Sequence, residues 1–243
     1  MPALESSHTR GFSRIAGLLY LIIAVAGGYA ILYVPSVLQV AGDPTQTVAN
    51  IAAQRGLYLS GLLGDTVMML AEIALTAMLY TMFLRVNPTL SLAAALARFA
   101  MVAVMAAMLF FHAAALHMVA PDAALGSFTG TQRAELAALF LYVNAAGVWI
   151  WQIFFTAHLL ILGMLVLRSN MFPRLFGYGL SLGAVGYVLD TLSAFAFPNS
   201  ALMVHVATPF LLVVTLAEIG FALWLVFVGP KPRTTDIHGQ LPA

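Results

Sequence analysis

The sequence contains no cysteine, and charged residues make up only 8% of its 243 positions. Without cysteine the chain forms no disulfide and has no thiol nucleophile or thiolate metal site. Any metal would need histidine, carboxylate or methionine ligands. The ten Lys and Arg residues leave a net charge of +1 and are scattered at segment ends, so a nucleic-acid partner is not expected.

Two further absences narrow the chemistry. No apolar run carries a lysine in its interior, so a retinal-type Schiff base has no candidate amine. The sequence also has no H-x-x-H or H-E-x-x-H spacing, the patterns that hold a metal from a single helix. A metal site would therefore have to be assembled from several helices. Whether the protein is an enzyme stays open at this stage.

Apolar residues dominate what is present. They make up 62% of the chain, and the mean hydropathy of +0.98 is that of a polytopic membrane protein. A helix needs about 20 apolar residues to cross roughly 30 Å of hydrocarbon. The continuous runs favour helices over barrel strands, and we predict an all-α membrane helical bundle with six transmembrane helices. The predicted spans cover residues 15–34, 57–84, 92–120, 136–167, 175–197 and 203–228.

Basic residues at the ends of these spans predict the orientation. Only Arg55 and Arg133 fall on one side, and by the positive-inside rule both termini are then cytoplasmic. We expect residues 1–228 to form a single six-span domain and the polar, proline-containing residues 229–243 to form a disordered cytoplasmic tail. The basic residues assigned to the cytoplasmic side are Arg10, Arg14, Arg85, Arg98, Arg168, Arg174, Lys231 and Arg233.

The N-terminal part has some features of a signal peptide, because Arg10 and Arg14 precede an apolar run that contains Ala24 and Ala26. The run continues through Tyr33, so an uncleaved first span is the preferred interpretation. Residues 35–56 then predict a turn followed by a short interfacial helix. Thr131 and Glu135 mark a plausible start for the fourth span, because threonine caps helices and glutamate suits their positive end.

Ionisable residues inside the predicted spans are the candidates for function. Each costs roughly 2.5–3.5 kcal/mol in hydrocarbon on insertion scales, so its default position is inward-facing or paired. At about 1.5 Å of rise per residue, three of them lie near the middle of the bilayer: Glu72, His158 and Glu218. The others lie in the outer half: Asp65, His112, His117, Asp190 and His205.

Helical spacing groups several of these residues. Asp65 and Glu72 share one face of the second span, two turns apart. Methionines on one face of the third span invite a copper interpretation, but adaptable packing is favoured. Gly179 and Gly183 form a small-xxx-small pattern that lets another helix approach closely. Two longer faces are Asn144, Trp151 and His158 in the fourth span, and Met101, Met105, Met108 and His112 in the third.

Three functions are compatible with these groups. The preferred one is the binding or transport of a small ligand, proton or ion. Its path would be formed by Asp65, Glu72, His158, Asp190 and Glu218. The second is a membrane-embedded, metal-dependent enzyme acting on a lipid or other apolar substrate. Its divalent metal would be held by Asp65, His112, Asp190 and His205. The third is a structural or accessory subunit whose polar groups fix helix register.

Three parts of the sequence resemble a known protein family. Residues 158–190, together with residues 14–20 and 223–229, resemble the bacterial integral-membrane family known as domain of unknown function 4386. The most specific matching residues are Gly163, Arg168, Ser169, Pro173, Arg174, Gly177, Tyr187 and Asp190. The resemblance implies a multi-pass protein of the bacterial cytoplasmic (inner) membrane, with the lipid bilayer as its partner. It implies no activity and no ligand.

Overall fold

The computed structural model describes residues 9–120, 127–197 and 200–231. Six helices in these ranges are long and apolar enough to cross a membrane, which confirms the predicted number of spans and the all-α fold. A seventh, α2, is short and lies in the first long connection. The helices are α1 Arg10–Leu38, α2 Pro44–Ala53, α3 Arg55–Phe83, α4 Pro88–Met118, α5 Gly130–Ser169, α6 Arg174–Ala196 and α7 Ala201–Phe227.

Local caps decide where the helices begin. The Asn87 side chain accepts a hydrogen bond from the Leu90 amide and Pro88 occupies the first turn, so α4 starts earlier than its apolar run suggests. At the start of α5, Thr129 and Gln132 form a capping box. The prediction that Thr131 caps this helix is therefore wrong by two residues. With 40 residues, α5 is about 60 Å long and extends well beyond the hydrocarbon layer.

The six long helices form a closed ring, in which each packs against the next in sequence and α1 packs against α7. Tyr20 and Phe221 meet edge-on across the α1–α7 contact at 6.0 Å. A Cβ at Gly179 would lie 2.7 Å from the Cβ of Ala217, so α6 and α7 are in close contact there. The small-xxx-small pattern thus serves helix packing, as its spacing indicates.

Both ends of the described chain lie at the same end of the ring, here called the terminal end. The Lys231 amide donates to the Met171 carbonyl at 2.9 Å, and Arg14 Nε donates to the Val226 carbonyl at 3.3 Å. The opposite end, which carries α2, is called the loop end. The tail predicted for residues 229–243 lies outside the described residues from position 232 onward.

Helix α1 contains a π-helical segment, Gly28–Tyr33, in which the Val34 amide donates to the Tyr29 carbonyl five residues back. Pro35 explains it. Proline has no amide hydrogen, and in a regular helix its ring would collide with the carbonyl four residues earlier, that of Ile31. The preceding turn therefore widens, as π segments do.

Large apolar side chains cover the outside of the ring. Val25, Phe110 and Leu175 are 74%, 76% and 75% exposed. Apolar patches of this kind would be an aggregation hazard in water, but they match the hydrocarbon of a bilayer. At the loop end, α2 confirms the predicted short helix and packs Val48 and Ile51 onto the neighbouring long helices.

Candidate functional site

Arg98 is the most deeply buried charged group among the described residues, at 1% exposure. It is ten residues beyond Pro88 in α4, so it lies about 15 Å along the helix axis from the first turn. The prediction that Arg98 anchors the turn at the membrane surface is therefore wrong, because α4 begins at Pro88 and carries the arginine into the bundle. Without Arg98, the count behind the predicted orientation is seven basic residues against two, and the orientation stays a prediction.

Three helices meet at this arginine. Arg98 Nε donates to Glu72 Oε2 at 2.5 Å, and Arg98 Nη1 lies 2.9 Å from His158 Nε2. Because arginine nitrogens only donate, Nε2 is the acceptor and the histidine proton sits on Nδ1. That nitrogen lies 2.9 Å from the Ala94 carbonyl oxygen, to which it donates. The contacts thus define a neutral imidazole in one tautomer, and Glu72, Arg98 and His158 are called the arginine layer.

Aromatic rings enclose the arginine layer. The Arg98 guanidinium carbon is 5.2 Å from the centre of the Tyr20 ring and 5.9 Å from that of Phe155. Cation–π contacts of this kind are worth about 0.5–2 kcal/mol. Removing one partner of a buried ion pair costs about 3–5 kcal/mol, because the other charge is left without compensation. The layer therefore fixes α3, α4 and α5 against one another.

The other two residues of the predicted path are placed differently. Glu218 in α7 is half-buried and interacts electrostatically with Arg98, but its carboxylate accepts no hydrogen bond within the described ranges. Asp190 accepts a hydrogen bond from Gln152 Nε2 at 2.8 Å, and Gln152 in turn accepts one from Thr191 at 2.9 Å. Glu72 and His158 thus meet through Arg98, Glu218 lies nearby, and Asp190 belongs to a separate contact between α5 and α6.

A cavity of about 220 Å³ lies toward the loop end, bordered by α1, α3, α4 and α5. Its polar lining includes Asp65, His112 and Asn144, and its apolar lining is rich in methionine. Asp65 and His112 also line a smaller space of about 20 Å³ beneath α2. The lining also includes the side chains of Met68, Met69, Met105, Met108 and Trp151.

The cavity lies directly above the arginine layer, on the same helix faces. Each of the three helices contributes one residue to the cavity and another, seven positions away, to the layer. Seven residues are two helical turns and about 10 Å of rise. The sequence predicted that the two residues share a face in α3 and in α5, but it did not predict the corresponding pair in α4. The pairs are Asp65 with Glu72, Met105 with Arg98, and Trp151 with His158.

The four predicted metal ligands do not converge. Asp65 and His112 share the cavity, whereas Asp190 is bonded to Gln152 and His205 is exposed, with Nδ1 2.6 Å from the Ala201 carbonyl oxygen of its own helix. The ring explains this separation, because the cavity is bordered by α1, α3, α4 and α5 and not by α6 or α7. Within the described ranges, no three His, Cys, Asp or Glu residues are grouped to hold a metal ion.

Methionine sulfurs around the cavity are used for packing. A Cβ at Gly27 would lie 2.7 Å from the Met68 sulfur, and a Cβ at Gly147 would lie 2.7 Å from the Met108 sulfur. Each thioether therefore fills the space above a glycine of a neighbouring helix, the adaptable role typical of methionine. The favoured interpretation of the methionine face as packing agrees with this geometry.

Residues 179–183 read GLSLG and match the G-x-S-x-G pattern of serine hydrolases. In those enzymes the serine lies on a sharp turn from a strand to a helix, which exposes its hydroxyl. Here Ser181 lies in the middle of α6, and its hydroxyl packs against Gly163 of α5. The match therefore provides no activated nucleophile.

Residues 15–229 match the protein family described as Domain of unknown function (DUF4386). The chain belongs to this family. The match confirms the resemblance found in the sequence and begins in α1 and ends beyond α7, so it includes both the cavity and the arginine layer of this DUF4386 protein. No curated protein and no solved structure matches the chain.

Proposed function

We propose that this protein binds a small molecule in the cavity between α1, α3, α4 and α5. The proposal is based on two polar side chains of the lining, which lack hydrogen-bonding partners in the described part of the chain. The side chains of Asp65 and His112 form no hydrogen bond within the described residues, although both face a space of about 220 Å³. An unsatisfied polar group in apolar surroundings costs about 1–3 kcal/mol, which a bound ligand would recover.

The proposal includes the location of the protein. We place it in the cytoplasmic membrane of a bacterium, with both termini in the cytoplasm and the cavity toward the outer face. The seven basic residues assigned to the terminal end, against Arg55 and Arg133, support this orientation. Ile31 lines the cavity and is 47% exposed, which supports ligand entry beside α1.

Transport is the second candidate, and one observation favours it. The arginine layer closes the bundle below the cavity, so a ligand could pass only if Arg98 released a partner. Glu218 interacts electrostatically with Arg98 and accepts no hydrogen bond within the described ranges, so it offers the arginine a second carboxylate. An exchange of Arg98 from Glu72 to Glu218 would open the layer while keeping the charge paired.

The binding proposal is tested with the fluorescence of Trp151. The chain has three tryptophans, and replacing Trp149 and Trp224 by phenylalanine leaves the one that lines the cavity. In a nanodisc-reconstituted protein, the neutral probe benzyl alcohol should change the Trp151 emission in a saturable way and raise the Tm by mass action.

Ala145→Leu fills the cavity and should abolish both effects, because Ala145 is part of the lining. Ala106→Leu is the matched control, since Ala106 lies on an exposed face of α4. If benzyl alcohol had no saturable effect, or if both leucine variants responded like the parent, the cavity would not be a binding site.

A further inference from the structure

We infer that the ligand of the cavity is a small organic cation, a protonated amine on a compact apolar body whose charge is held by Asp65. This inference rests on the proposed binding function and goes further by naming the charge and the shape of the ligand.

The charge of the cavity is the first argument. Asp65 lines it, and no lysine or arginine does so among the described residues. Arg98 is one layer below and is already paired with Glu72. Of the two arginines near the loop end, Arg55 is exposed at the start of α3 and Arg133 donates to the Ala120 carbonyl at 3.4 Å. The carboxylate therefore has no cationic side chain as a partner in the described ranges, and a positively charged ligand group supplies one.

The side chains that form the walls of the cavity also suit an organic cation. Trp151 lines the cavity, and an aromatic ring can attract a cation by about 0.5–2 kcal/mol. Met69 and Met105 add polarisable thioether surface, which suits the alkyl or aromatic part of an amine. An inorganic ion such as calcium requires about 6–8 oxygen ligands. The side-chain oxygens of the lining are those of Asp65, Asn144 and Gln39, fewer than such an ion requires, so an organic cation fits better than a metal.

The volume sets the size of the ligand. An apolar cavity of roughly 150 Å³ accepts benzene. A cavity of about 220 Å³ therefore holds one ring with a short charged arm. Benzylamine has these dimensions and is a cation at neutral pH, while benzyl alcohol and benzoate provide a neutral and an anionic molecule of similar shape.

The experiment compares these three probes by Trp151 fluorescence in nanodiscs, at neutral pH and physiological ionic strength. Benzylamine should bind about tenfold more tightly than benzyl alcohol, and benzoate should bind most weakly. Asp65→Asn should remove this preference by weakening benzylamine about tenfold and leaving benzyl alcohol unchanged. Glu135→Gln, which removes an exposed carboxylate near the loop end, is the control and should change neither affinity.

A second measurement uses the protein with Asp65 intact. Tetramethylammonium chloride should displace benzylamine, whereas sodium chloride at the same ionic strength should not. Equal affinity for benzylamine and benzyl alcohol, or displacement by both salts alike, would refute the cationic ligand while leaving cavity binding in place. If none of the three probes bound, the proposed function would fail as well.

Discussion

The arginine layer and the cavity are built by the same helices, two turns apart, and treat their charged groups in opposite ways. In the layer, Glu72 and His158 each hydrogen-bond Arg98, and all three side chains are almost fully buried. In the cavity, the side chains of Asp65 and His112 form no hydrogen bond within the described ranges and border open space. Unsatisfied polar side chains that border open space, as Asp65 and His112 do, therefore point to a ligand.

Breaking the arginine layer should have the largest effect. Glu72→Leu removes the carboxylate that hydrogen-bonds Arg98, and because Glu218 makes no hydrogen bond to the arginine in this structure, we expect a loss of about 3–5 kcal/mol in the free energy of unfolding. The double variant Glu72→Leu/Arg98→Met should recover much of this loss, since the uncompensated charge is gone. The free energy of unfolding of the single and the double variant is measured by titration with a denaturing detergent. A single variant as stable as the double variant would show that the ion pair does not hold the layer together.

The histidine of the layer should matter less. His158→Phe keeps a ring beside Phe155 but removes the acceptor for Arg98 and the donor to the Ala94 carbonyl. We expect a loss of about 1–3 kcal/mol in the free energy of unfolding, the cost of polar groups left without partners. The same detergent titration measures it. A loss as large as that of Glu72→Leu would mean that the histidine, and not the ion pair, dominates the layer.

Glu218→Gln tests which carboxylate holds Arg98 in the resting structure. Because Glu218 accepts no hydrogen bond in the described part of the chain, its replacement should cost less than about 1 kcal/mol in the free energy of unfolding, well below the cost of Glu72→Leu. If the two replacements were equally costly, Arg98 would be shared between both carboxylates and not paired with Glu72 alone.

The smallest effect on stability is expected in the cavity. Asp65→Asn removes a carboxylate that lacks a partner among the described side chains, so the Tm of the ligand-free protein should be unchanged or slightly higher. Although Asp65 and Glu72 lie on the same face of α3, their replacements should change stability to very different extents, because only Glu72 has a hydrogen-bonded partner within the described ranges. A marked fall in Tm for Asp65→Asn would place Asp65 in a structural role and remove the contrast between the two layers.

The sequence predicts which residues share a face of one helix better than it predicts which helices lie next to one another. The helical period alone places Asp65 with Glu72, and Trp151 with His158. It does not specify which helices adjoin in the ring, so the separation of Asp190 and His205 from the cavity was not predictable. Their positions depend on the order and register of the helices, which close contacts such as that at Gly163 and Gly177 set.

Arg98 was missed for a different reason. Basic residues near a turn are normally read as membrane-surface anchors, and this rule outweighed the position of Arg98 six residues inside the predicted third span. Its seven-residue spacing from Met105 was the available signal, because it places the arginine on the inward methionine face. The cap at Asn87 then determines how deep it lies.

The π segment of α1 gives this helix a role in joining the two layers. Tyr20, on one side of Gly28–Tyr33, packs beneath Arg98, and Pro35, on the other side, lines the cavity. One residue fewer in the segment would rotate one half of the helix by about 100° relative to the other. Tyr20 and Pro35 could then not both keep their places. The widened turn therefore sets the angular phase of α1.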